Sequence, residues 1–175
     1  MTYEREPDLA GLRSHLGREL AEEAAEDERL TAVYDRRRFD LAMVAKDLVN
    51  RGARVTVQFS GHTMSGLVTG GGADHMVIEG AGQTATVRLD AGYWSILPGA
   101  GEPTGAVATE ETMTARLAEA AEQGGMVRLA LPNGEVVIGR VSVVAKDHIE
   151  LVDADERTLY VPTGLVLGIL RSSLR

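Results

Sequence analysis

The chain contains no cysteine, which removes disulfides, thiolate metal ligands and cysteine nucleophiles together and fits a cytoplasmic setting. Aromatic residues are scarce, with two Phe, four Tyr and one Trp among 175 residues, so a broad platform for stacking bases is not expected. No apolar run approaches the ~20 residues that a membrane-spanning helix needs. The first residues, Met-Thr-Tyr-Glu-Arg-Glu-Pro-Asp, lack a basic region followed by an apolar stretch, so no secretory signal is expected. Positive charge is in deficit as well. Lys and Arg number 18 against 26 Asp and Glu, for a net charge of −8. An acidic whole repels polyanions and argues against a generic DNA-coating role.

What the sequence does contain is a repeated pattern. Arg54-Val-Thr-Val-Gln-Phe-Ser-Gly-His-Thr-Met-Ser-Gly66 returns as Met126-Val-Arg-Leu-Ala-Leu-Pro-Asn-Gly-Glu-Val-Val-Ile-Gly139. Gly61, Gly66, Asp74 and His75 return 73 positions later as Gly134, Gly139, Asp147 and His148. Repetition at one offset, within matching apolar alternation, predicts a tandem duplication. The expected division is an acidic helix over 1–35, a first unit over 36–98, a linker over 99–109 and a second unit over 110–171. Charge divides the same way: −6 for residues 1–35, +2 for 36–98 and −4 for 99–175.

Leu9, Leu12, Leu16 and Leu20 lay one apolar stripe along a helix that Asp8 can cap. The acidic run 22–28 follows, and the helix is expected to reach about Tyr34. A second helix is predicted from Phe39 to Asn50, with Leu41, Val44, Ala45 and Leu48 inward. Its counterpart runs from about Glu110 to Gln123, with Met113, Leu117, Ala120 and Ala121 inward and Gly124-Gly125 as its stop.

Val55, Val57 and Phe59 alternate before Ser60-Gly61, and Val127, Leu129 and Leu131 alternate before Asn133-Gly134. Asn-Gly between alternating runs signals a hairpin turn, because both central positions take positive φ. Pro132 adds the residue that moves the offset from 72 to 73. Strands follow over 64–68 and 136–141, each holding a glycine (Gly66 or Gly139) read as a bulge or sharp bend. Residues 70–74 and 143–147 read as loops, and further strands lie over 75–78, 86–89, 148–152 and 159–161. Short last strands after Gly92 and Gly164 end at Ile96-Leu97 and Ile169-Leu170. Residues 98–105 are a linker by composition. The fold class is mainly β with α: helix plus five bent strands, twice, preceded by an acidic helix.

Gly61, Gly66, Asp74 before an apolar strand, and the late Gly92 resemble the Sm-like or SH3-like small barrel. The broad group includes Hfq, Sm proteins and the C-terminal domain of RimP. Gly66, Val68 and Gly72-Ala-Asp-His75, followed by a strand, are similar to uncharacterised actinobacterial proteins carrying an acidic N-terminal helix before one barrel. The resemblance implies the fold over most of 8–97 and more weakly over 110–171. It also implies where RNA would bind: an Asn after the Asp-containing loop and an Arg-Gly pair before the last strand. Met76 or Val77, and Ile149 or Glu150, stand at the Asn position. Ala91 precedes Gly92 and Thr163 precedes Gly164, so the uridine-reading residues are missing twice.

His75 and His148 each follow an Asp. They read as a repeated contact pair or as turn-building residues whose Asp accepts backbone amides. His15 and His62 are not at ligand spacing, so no metal or other cofactor is expected. Ser60, Ser65, Ser95 and Ser142 lack a base in elbow or triad context, and the glycines 70–72 lack the Gly-Lys ending of a phosphate loop. No catalysis and no small-molecule substrate are expected. Arg36, Arg37 and Arg38, with Lys46, Arg51 and Arg54 nearby, are the best polyanion candidates. The alternative is that they pair with the acidic run upstream and are masked by it. Trp94 beside Tyr93 is either core packing or a partner site. The candidate contacts are therefore Arg36, Arg37, Arg38, Arg54, His62, His75 and Trp94.

Two functions remain. One is a non-catalytic adaptor or assembly protein, binding a protein partner or itself through barrel surfaces, strand edges or the N-terminal helix. The other is an RNA-binding post-transcriptional regulator acting through the first unit.

Overall fold

The computed structural model describes residues 9–99, 101, 103 and 105–172. These fall into two compact units, 1–39 and 40–175. The first holds one helix, α1 (Leu9–Arg36). Its expected cap, Asp8, and the side chains of Leu9, Leu12 and Leu16 lie outside the described residues. No helix among the described residues is long and apolar enough to cross a membrane.

The second unit begins with α2 (Leu41–Asn50). Asp40 has extended backbone and its carboxylate accepts the Met43 N–H at 2.8 Å. That side-chain cap starts the helix two residues later than the apolar spacing suggested. Ala45, Leu48 and Val49 face the core, while Leu41 is half exposed instead of inward. Five strands follow: β1 (Arg54–Phe59), β2 (His62–Gly71), β3 (His75–Gly80), β4 (Gln83–Arg88) and β5 (Gly92–Ile96). Then come α3 (Met113–Gln123), β6 (Met126–Ala130), β7 (Val136–Val144), β8 (His148–Val152), β9 (Thr158–Pro162) and β10 (Gly168–Ser172). Thr112 caps α3 through the Ala115 N–H, and Gly124 ends it at φ 67°.

All ten strands join one antiparallel, unclosed sheet in the order β5-β1-β2-β3-β4-β10-β6-β7-β8-β9. The first five strands and the last five repeat one pairing pattern. Val55 opposes Gly66 as Val127 opposes Gly139. The register shifts between Val68 and Gly70, and again between Val141 and Val143. The turn residues Ser60, Gly61, Asn133 and Gly134 all have positive φ, as a tight right-twisted hairpin requires. Pro132 forms a short 3₁₀ turn with Asn133 and Gly134, absorbing the extra residue.

The sheet corrects three local expectations. Residues 70–71 and 143–144 continue β2 and β7 instead of forming loops. The bulge lies at 68–70 and 141–143, not at the strand glycines. Gly66 serves close approach: a Cβ there would stand 2.2 Å from the Glu79 carbonyl oxygen, and at Gly139 2.9 Å from that of Val152. Gly164, paired with Gly92 in the sequence reading, sits in a 3₁₀ turn before β10, whereas Gly92 opens β5.

The halves share their interior. Alternation in β1 buries Val55, Val57 and Phe59 on one face. That core includes Ala130 from β6 and Leu170 from β10. A second cluster joins α3 to β6, β7, β8 and β10 through Leu117, Leu129, Val141, Ile149 and Ile169. The Ser60 hydroxyl donates to the Leu131 carbonyl and accepts the Gly134 N–H at 2.7 Å, fastening one hairpin turn to the other.

Gly66→Ala is expected to cost about 3 kcal/mol and Gly139→Ala about 1, spanning the usual range for overpacking. Urea unfolding of both variants checks this; equal costs would mean that β3 yields at Gly66 as readily as β8 does at Gly139.

Candidate interaction surfaces

The paired Asp-His turns occupy matching places between β2 and β3 and between β7 and β8. In each, the Asp backbone carbonyl accepts an amide at 2.9 Å, Leu89 for Asp74 and Thr163 for Asp147. The residue three before each His donates its amide to the His carbonyl, also at 2.9 Å (Gly72 to His75, Ala145 to His148). The backbone bonds of the turn are thus the same in both copies.

Their surroundings differ. The first turn is covered by the segment leading into α3. Asp74 Oδ1 accepts the Met113 N–H at 2.7 Å, and the Ala73 N–H bonds to the Glu111 carbonyl at 2.8 Å. Thr109 donates its amide to the Gly71 carbonyl at 2.7 Å, and Lys46 pairs with Glu110. Under this cover the His75 side chain is 0% exposed; its Nδ1 lies 3.1 Å from Asp74 Oδ1 and its buried Nε2 has no hydrogen-bond partner among the described residues. At the second turn Asp147 is 86% exposed and His148 36%. His148 Nδ1 sits 2.7 Å from Asp147 Oδ1, its Nε2 3.9 Å from Glu150, and its ring 5.7 Å from that of Tyr160. The hydrogen bond from His148 holds the Asp147 carboxyl below its ordinary 3.8. Asp153, in the β8–β9 turn, is lowered by the Arg157 backbone amide and then by its guanidinium.

Arg36, Arg37 and Arg38 are exposed at the end of α1, and among the described residues none forms an ion pair. Arg37 lies over the Tyr34 ring at 5.3 Å, and Arg36 in the last turn suits the negative end of the helix dipole. Pairing with residues 22–28 fails on geometry. At 1.5 Å rise per residue, Glu28 and Arg36 stand about 12 Å apart along the axis. The expected basic supporters are also spoken for: Arg51 pairs with Asp47 at 2.7 Å and Lys46 with Glu110. Arg54 is exposed. His62 is half-buried against Phe59, and its buried Nε2 has no hydrogen-bond partner among the described residues.

Trp94 and Tyr93 divide between their two readings. Trp94 packs against the first core, while Tyr93 is exposed and bonds through its hydroxyl to Gln58. Both stand on β5, one terminal strand of the sheet; β9 is the other. These edges were not singled out by residue type. Tyr93 and Ile96 on β5 and Tyr160 on β9 are their exposed large apolar side chains. Among the described residues no group of three or more His, Asp or Glu is placed to hold a metal ion. Neither a protein-family model nor a curated protein matches the chain.

NMR titration of the Asp147 carboxyl should give a midpoint below 3.8, returning toward that value in His148→Ala. Because the folded-state value is the lower one, the contribution to stability is complete above the unfolded value and fades as pH falls through the folded one. Asp74→Ala should cost about 1–2 kcal/mol by uncapping α3, whereas Asp147→Ala, at an open turn, should leave the melting temperature nearly unchanged. Similar losses at both positions in thermal unfolding would contradict the difference in cover.

Proposed function

We propose that this chain is a non-catalytic interaction module, an adaptor or assembly protein, built from a duplicated helix-plus-strands unit of the Sm-like or SH3-like small-barrel type. The repeated strand order, matching bulges and matching hairpin turns support the duplication. The observation that carries the functional reading is the pair of open strand edges, β5 and β9, at the two ends of the sheet. An edge presents unpaired amides and carbonyls and so accepts an added strand, while flanking side chains select the partner. Tyr93, Ile96 and Tyr160 would supply that selection.

RNA binding is the second reading, favoured by the exposed Arg36, Arg37 and Arg38, which form no ion pair among the described residues. Against it stand the carboxylate partners of Lys46 and Arg51 and the burial of Met76 and Ile149 where a base-reading Asn would be needed.

Fluorescence anisotropy of the full chain with short U-rich and A-rich RNAs, at two salt concentrations, separates the readings. No saturable binding is expected. Micromolar, salt-sensitive binding that disappears when the three arginines become alanine would replace the adaptor reading with the RNA one.

A further inference from the structure

The seam between the halves has two faces. Ala85 and Val87 of β4 and Leu170 of β10 turn toward the first core. The other face carries two rows of side chains across β3, β4 and β10. Glu79 opposes Thr84, which opposes Arg171; beside them Val77 opposes Thr86, which opposes Ile169. Helix α3 borders this face with Arg116 and Glu119, and the hollow between helix and sheet is a cleft of about 230 Å³. The bulge of β2 brings both Thr69 and Gly70 to the cleft wall. Gly70 keeps the hollow open, since a Cβ there would already stand 3.3 Å from the Val77 side chain.

The helix side of the cleft is held by a chain of hydrogen bonds. Arg171 Nη1 donates to Gln123 Oε1 at 2.7 Å, and Gln123 Nε2 donates to Glu119 Oε1 at 3.1 Å. Arg116 Nη1 donates to Glu119 Oε2 at 2.9 Å, and its Nη2 lies 3.4 Å from Glu111. Two guanidinium groups are thereby fixed beside one cleft, and each has donors left over. Arg116 Nε is buried with no hydrogen-bond partner among the described residues, and a buried N–H of this kind calls for an acceptor. Arg171 forms no ion pair among the described residues, and its bond to Gln123 engages one of the guanidinium's several N–H groups. Across β4, the Glu79 side chain has neither a hydrogen bond nor an ion pair among the described residues.

We propose that this cleft binds a free α-amino acid with a short apolar side chain. Its carboxylate accepts from Arg171 and from Arg116 Nε, its ammonium donates to Glu79, and its side chain lies over Val77 and Ile169. The charges lining the cleft select a zwitterion. Arg116 and Arg171 are balanced by Glu79 and Glu119, so a plain anion would meet the unpaired Glu79 and a plain cation the unpaired Arg171. Spacing agrees. Glu79 and Arg171 stand two strands apart, about 10 Å between backbones. That leaves room between their charged ends for a small ligand with a hydrogen bond of about 2.8 Å at each end. Size agrees as well. At roughly 30 Å³ for each water-sized group, the cleft holds about eight non-hydrogen atoms, the size of valine.

The ligand is bound and released unchanged, so the site adds a sensing role to the non-catalytic reading without depending on which partner the edges take. It touches β3 of the first half and β10 and α3 of the second. Occupancy therefore ties the halves together and stabilises the folded chain by mass action.

The test is an amide NMR titration of the full chain with L-valine, with acetate and methylamine as probes that carry one charge each. Saturable shifts are expected at Gly70, Val77, Thr86 and Ile169, with a dissociation constant on the order of 1 mM. Acetate and methylamine should each bind roughly tenfold or more weakly. Glu79→Gln should remove the preference for valine over acetate, and Arg171→Gln should weaken valine binding roughly tenfold or more. Circular dichroism verifies that both variants fold; Glu79 is exposed and unpaired, so its replacement leaves the fold intact. If Arg171→Gln unfolds, Val77→Phe replaces it, filling the cleft and abolishing the shifts. The proposal is overturned by an absence of saturable shifts, by shifts that map elsewhere, or by acetate binding as tightly as valine. Valine binding that survives Arg171→Gln, or a preference for valine that survives Glu79→Gln, overturns it too. The interaction-module reading fails separately, on the RNA measurement.

Discussion

Strand β10 lies between β4 and β6, and the rest of the second unit depends on that placement. It closes the backbone ladder of its own half through β6 and supplies the missing neighbour of β4. Without it, β4 would be an open edge and Leu170 and Ala130 would be withdrawn from the first core. Hydrophobic burial and backbone pairing therefore act at one seam. The Ser60 bridge and the Asp74 cap on α3 secure it at two further points.

The seam also makes matching parts unequal. The Asp-His turns have the same backbone bonds, yet one is a sealed support beneath the start of α3 and the other is open to solvent. The strands β4 and β9 correspond, yet one is interior and the other terminal. Any functional difference between the halves arises from neighbours more than from the residues of the turns themselves. The buried His75 gains an inaccessible Nε2, whereas His148 keeps contact with Glu150 and Tyr160.

Much of this was legible in the residues. Alternating apolar residues placed β1 and β6, Asn133-Gly134 placed a hairpin, and apolar spacing placed α2 and α3. These signals are local, each set by periodicity or by turn chemistry. The reading went astray where the cause lies far away in sequence. Gly66 resembles a bulge residue until the Glu79 carbonyl is seen against it. The glycines at 70–71 look like a loop, but β3 pairs with them. The three arginines seemed to have acidic partners upstream, and a continuous helix holds those apart. Nothing local in Gly168–Ser172 says that the strand will meet β4, about eighty residues earlier, as well as β6. The edges were invisible for the same reason, since being an edge is a property of the sheet's order and not of any residue.

The position of β10 bears on how the chain is made. A ribosome delivers residues from the N-terminus, so β1 to β5 and α3 emerge well before the strand that completes their sheet. Throughout that interval β4 offers unpaired backbone and an incompletely covered core, the condition in which nascent chains are most exposed to pairing with each other. The long sequence separation of the final pairing also slows the closing step. The small residues of β4, Ala85 flanked by Thr84 and Thr86, make its waiting edge less adhesive than a row of leucines or phenylalanines would be. The keystone therefore emerges after every other strand of the sheet, and until it does the edge of β4 stays unpaired.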